Sequence, residues 1–112
     1  MQVSTETFGN VLVAHTPEEL TEETTRLFHE AIETHLQAGL KSVVLQMDRS
    51  ETLDSAGLTA LVDLHERLRE QGGNVKICAL TETGRKIFHV TRLDEEFDLY
   101  ESMIDAVGSF QS

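Results

Sequence analysis

The chain is short of cysteine, proline and positive charge, and each shortage closes off a class of protein. One of its 112 residues is a cysteine, Cys78, inside the apolar run VKICAL. A single cysteine closes no intrachain bridge, so a disulfide scaffold is excluded and the thiol reads as a small hydrophobe. One proline, Pro17, and no segment of low complexity leave no linker or internal repeat to divide the chain. Nine basic residues stand against 20 acidic ones, a formal net charge of −11. A field of that sign repels phosphate backbones, so nucleic acid is not an expected partner. It suits a protein with a basic face, or simply keeps the chain soluble. The opening MQVSTETFGN has no basic segment followed by an apolar stretch, and no signal peptide is read there. No apolar run approaches bilayer length, so membrane insertion is not expected and the cytoplasm is the default location.

What is present is an ordinary globular mixture, 39% hydrophobic and 26% charged, long enough for one core and too short for two. Residues 1–112 are therefore expected to form a single domain. Gln2–Thr7, the turn signal Gly9-Asn10 and Val11–Ala14 predict a β-hairpin. Leu20, Leu27, Phe28, Ala31, Ile32 and Leu36 then fall at helical spacing. The start of that helix has two candidates. Thr16-Pro17-Glu18-Glu19 has the form of a capping box with proline at the first helical position, and Thr21 caps a shorter helix.

Ser42–Met47 (SVVLQM) is β-branched and nearly all apolar, as a strand covered on both faces must be. Leu58, Leu61, Val62, Leu64 and Leu68 form one face of a second helix, with Thr59, Asp63, Glu66 and Glu70 opposite. Gly72-Gly73 ends it. Val75–Leu80 predicts another buried strand, Thr81–Val90 a short helix, Phe97–Tyr100 a final strand and Ser102–Val107 a last helix. Strands alternating with helices predict an α/β domain. Its sheet is expected to be mixed but mostly parallel, with an N-terminal hairpin and about four helices packed on it.

Between the strand SVVLQM and the second helix stands LDSAGL, and the question it raises is what Ser55 does there. As a hydrolase nucleophile it fails: the G-x-S-x-G elbow is missing, and His65 lies ten residues down the same helix, roughly 15 Å away. The five histidines (His15, His29, His35, His65, His89) form no i, i+4 pair and read as surface or half-buried residues, so no metal site is expected. Asp48, at the end of the strand, occupies the place of a receiver-domain phosphoacceptor. However, Glu18-Glu19 and Lys76 are weak stand-ins for the acid pair and lysine that chemistry needs. Two readings of Ser55 remain open. It caps the helix through its hydroxyl, with Asp54 favouring the positive end of the dipole, or the helix presents it to a partner.

From LDSAGLTALVDLHERLREQGG through VKICALTETGRKIF to HVTRLDEEFDLYES, the chain resembles the STAS domains, specifically the bacterial anti-sigma factor antagonists. The likeness runs over roughly Val11 to Val107. It implies a binding protein without enzymatic activity or cofactor. It also implies that Ser55 is phosphorylated by an anti-sigma factor serine kinase of the GHKL type, which the unphosphorylated form binds, releasing the sigma factor. A PP2C-type phosphatase then resets the switch. Partner-facing residues implied beside Ser55 are Asp54, Ala56, Gly57 and Thr59, together with Glu18, Glu19 and Thr21. Many family members carry Gly-x-Leu-Asp where this chain has Glu18-Glu19-Leu20-Thr21, a departure on the partner-facing surface. That departure keeps a second reading in play: a STAS interaction module without a switch, in a scaffold or a transporter-accessory complex.

Overall fold

The computed structural model describes residues 3–111. A hairpin of β1 (Ser4–Phe8) and β2 (Val11–His15) opens it, with Gly9 at φ +62° in the turn. Gln2, expected to begin the first strand, lies outside the described residues. After the two-residue strand β3 (Glu19–Leu20) come α1 (Thr25–Gln37), β4 (Ser42–Gln46), the two-residue β5 (Thr52–Leu53) and α2 (Ser55–Glu70). The chain continues through β6 (Asn74–Cys78), α3 (Glu82–Val90), the single turn α4 (Leu93–Glu96), β7 (Asp98–Tyr100) and α5 (Met103–Gln111). The main sheet runs β1-β2-β4-β6-β7, antiparallel at the hairpin and parallel from β2 onward. The expected mixed, mostly parallel sheet is there. Among the described residues five helices stand where about four were expected, the additional one being the turn at Leu93–Glu96.

Alternation along the strands sorts the core into two layers. Leu12, Ala14, Val43, Leu45, Val75 and Ile77 face α1, α2 and α3 in the larger cluster. Val11, Val13, Val44 and Cys78 face the other way and are covered by Ala106 of α5. This is why β2 and β4 are almost uniformly apolar: neither has a wet side. Each fully buried leucine or phenylalanine contributes roughly 1.5–3 kcal/mol. Phe28 of α1 and Phe88 of α3 are among the largest buried side chains.

The start of α1 corrects both sequence candidates. Thr16-Pro17-Glu18-Glu19 opens no helix, because its polar groups serve other partners. The Thr16 hydroxyl meets Ser50 Oγ at 2.6 Å, the Pro17 carbonyl accepts from the same Ser50 hydroxyl at 2.6 Å, and the Glu18 carbonyl takes the Glu51 and Thr52 amides. The backbone therefore stays extended and pairs Glu19 with Thr52 and Leu20 with Leu53. Leu20, expected on the helix, is wholly buried in this small second sheet. Thr21 turns the chain by accepting the Thr24 and Thr25 amides, and α1 begins only at Thr25. The end of α2 matches expectation, with Gly72 at φ +81°. Gly73 has a separate reason to be glycine, since a Cβ there would sit 2.1 Å from the Lys41 carbonyl oxygen.

Candidate functional site

The answer to LDSAGL lies in which residue caps α2. Asp54, extended at ψ −179°, is the N-cap, and its Oδ1 accepts the Gly57 amide at 2.8 Å. Its other oxygen, Oδ2, accepts the Glu22 amide at 3.1 Å from the loop between β3 and α1. These two amides, Gly57 first, hold the Asp54 carboxyl below the usual aspartate range. Ser55 is thereby displaced to the first residue of the helix, exposed, its hydroxyl not spent on the cap. The capping reading of Ser55 gives way, because the neighbouring aspartate does that work.

Around the hydroxyl lies an open depression of about 380 Å³ lined by Thr25, Ser55, Ala56, Thr59, Ala60 and Asp63. Of the residues singled out in sequence, Ser55, Ala56 and Thr59 are thus brought together, while Asp54 is half-buried and does not line the depression. Glu18 and Glu19 are exposed but line a different hollow with Arg49, Glu51 and Thr52. Thr21 is half-buried, and its amide donates to the Thr24 hydroxyl at 2.9 Å. Gly57 departs from expectation. It does not open the outer surface to a visitor but is buried, with Leu20 packed so close that a Cβ would lie 2.0 Å from the Leu20 carbonyl oxygen. Thr25 and Ala60 were not singled out in the sequence. Asp63 was placed there only on the polar face of the helix with Thr59, and it stands eight residues beyond Ser55 on that stripe. Thr25 reaches the site from α1 and carried no local signal.

Three other sequence candidates separate from the site. Lys76 is buried on the α5 face, its Nζ 2.7 Å from Ser109 Oγ and 4.3 Å from the Phe110 ring centroid, so it does not complete a receiver site with Asp48. Burial, with the Asp48 charge second, pushes the Cys78 thiol up to about 11, which keeps it protonated at neutral pH. His65, expected at or near the surface, is 4% exposed and tilts against Phe97 with ring centroids 4.6 Å apart. Among the described residues neither ring nitrogen finds a hydrogen-bond partner of ordinary geometry. Burial first, then the Arg69 charge, lowers its pKa against the opposing pull of the Glu96 backbone and of the Glu96 and Asp98 carboxylates.

Because the folded state resists protonating His65 and the unfolded chain does not, stability is lost as pH falls through about 6.5. His65→Leu removes that loss. The difference in unfolding free energy between variant and parent therefore grows as pH drops from 7 to 5, measured by urea titration at each pH. A constant difference would mean that His65 protonates as readily in the folded chain as in the unfolded one.

A family model described as the STAS domain matches residues 2–106. The chain belongs to the STAS domain family. Solved structures agree with the fold. An anti-sigma factor antagonist from Mycobacterium paratuberculosis aligns with a TM-score of 0.87 at 25% identity, covering 99% of this chain and 94% of that one. An anti-sigma-factor antagonist STAS domain protein from Planctomyces limnophilus gives 0.87 at 20% identity, with both chains covered completely. The antagonist SpoIIAA in its unphosphorylated form gives 0.83 at 17% identity over 97% of this chain and 96% of that one. SpoIIAA, a Bacillus cell fate determinant, is also solved phosphorylated, at a TM-score of 0.76 and 17% identity over 96% of this chain and 98% of that one. Among the described residues of this STAS domain no helix is long and apolar enough to cross a membrane.

Proposed function

We propose that this STAS domain is an anti-sigma factor antagonist gated by phosphorylation of Ser55. The observation that carries the reading is the exposed hydroxyl at the first position of α2, left unspent by the Asp54 cap. A serine kinase passes the γ-phosphoryl of ATP to Ser55 Oγ; ADP leaves, and the hydroxyl proton goes to a base on the kinase. The phosphate then sits over the first turn of α2, where the helix dipole tolerates it, so the fold persists.

The same dianion adds about −1.5 to −2 charge beside Asp54 and the exposed Glu22 and Glu23. A partner closed over the neutral hydroxyl then meets a charge it cannot desolvate, and it dissociates. In this scheme the partner is an anti-sigma factor kinase of the GHKL type, the unmodified domain frees the sigma factor, and a PP2C-type phosphatase restores the hydroxyl. The likeness to SpoIIAA, a protein known in both phosphorylation states, supports it. Incubation with such a kinase and ATP, followed by peptide mass mapping, tests it: one phosphate on Ser55 is expected, and label elsewhere removes the mechanism.

A second reading, a STAS interaction module without a switch, draws on the Glu18–Thr21 segment, whose acidic residues line a hollow apart from Ser55. It predicts stable self-assembly into a large particle or co-purification with transport subunits, with Ser55 unlabelled.

A further inference from the structure

The depression at Ser55 does not end at Asp63. Past Ala60 and Asp63 it runs into a groove of about 340 Å³ between α1 and α2, and Thr25 borders both. The groove is walled by the apolar side chains of Phe28, Ile32, Leu36 and Leu64, all from the main core. Ala60 keeps it open by being small. At the far end Arg67 clamps Glu33 in a bidentate pair, 2.5 and 2.7 Å long, which closes that end with its charges already matched.

We infer that this groove seats one bulky apolar side chain of the partner that reads Ser55, with a lysine or arginine beside that side chain pairing with Asp63. The inference rests on the proposed switch and adds an anchor to it. A hollow of this size with a dry wall suits an anchor residue, the kind of contact that carries most of an interface's binding energy.

The charges choose the occupant. Arg67 is held by Glu33, and Arg26 by Glu30 at 3.0 Å, whereas Asp63 is exposed and has no ion pair among the described residues. His29 also lines the groove, 3.6 Å from Glu33, so the carboxylate left without an ion pair among the described residues is Asp63, and the demand beside it is for a cation. A second copy of this chain would bring another −11 against it and is disfavoured. The anchor and the switch divide the labour. The groove supplies affinity while Ser55 is unmodified, and the hydroxyl at its mouth decides whether the partner can settle into it.

Titration calorimetry with the anti-sigma factor kinase that binds the unmodified chain separates the two ideas. Ala60→Phe, which plugs the groove, and Asp63→Lys, which reverses the charge on an exposed site, are each expected to weaken binding about tenfold or more. Asp63→Glu is expected to stay within about twofold, a rescue that a purely structural role would not require. Circular dichroism melts of each variant establish that the fold is intact, and Asp63→Lys carries the test if Ala60→Phe does not fold. Full affinity in the folded groove variants, with binding lost in Ser55→Asp, overturns the anchor and leaves the switch standing. Binding lost in the groove variants but kept in Ser55→Asp supports the anchor and overturns the switch.

Discussion

Gly57→Ala is expected to cost the fold about 3 kcal/mol and to lower Tm by more than roughly 10 °C. The reason is geometric. The added Cβ would lie 2.0 Å from the Leu20 carbonyl oxygen and 2.8 Å from its carbonyl carbon, both backbone atoms that cannot swing aside. Leu20 is itself fixed: it pairs with Leu53 in the small sheet, its carbonyl takes the Asp54 amide at 3.4 Å, and its side chain is wholly buried. Relief requires α2 to back away from β3, which opens the core at Leu61 and disturbs the Asp54 cap. Gly108→Ala is the matched control. It lies inside α5 with nothing within 4 Å of an added Cβ, so alanine there is expected to be neutral or stabilising by about 0.5–1 kcal/mol. Thermal unfolding of the two variants in one buffer checks both. Equal melting temperatures would mean that the contact between α2 and β3 yields more easily than its distances imply.

Ser55→Asp is expected to weaken binding of the anti-sigma factor kinase by at least about a hundredfold while leaving the domain as stable as its parent. The two halves have different origins. A carboxylate at the first turn of a helix is favoured by the dipole, so the scaffold accepts it. The partner faces a new charge beside Asp54 in a surface it must desolvate, and juxtaposed like charges cost several kcal/mol. Ser55→Ala removes the acceptor and adds no charge, so it is expected to bind at parental strength and to resist release by ATP. Surface plasmon resonance with and without ATP reads both variants. A Ser55→Asp protein that binds like its parent would remove the electrostatic basis of the switch.

The layered sheet was legible because burial on both faces forces long apolar runs, and VLVA, SVVLQ and VKIC can hardly be anything else. The ends of helices were less so. Leu20 fits the period of α1, and what pulls it off that helix is pairing with Leu53, more than thirty residues away. Pro17 after a threonine imitates a helix start, but Ser50 had already claimed the polar groups of Thr16 and Pro17.

At the site the sequence left open whether Ser55 caps α2 or is presented to a partner, and gave Asp54 only a dipole role. The decision came from backbone geometry and from the Glu22 amide waiting across the turn. Gly57 shows the same limit. The family likeness put it on the partner-facing surface, and only the fold reveals that it packs against the Leu20 backbone instead. His65 was misjudged on residue type alone, although its spacing from Leu61 and Leu68 places it on the apolar face of α2, where Phe97 packs against it.

The placement of α5 has a consequence for the chain as it is made. The β2–β4–β6 ribbon can complete its main core once Phe97 has emerged, but the reverse side, with Val11, Val13 and Val44, lacks its α5 cover until Met103–Gln111 follow. For that interval on the ribosome the nascent polypeptide displays a sticky plane. Cutting the chain before Met103 would make that interval permanent, and the product should precipitate or be captured by chaperones instead of remaining monodisperse.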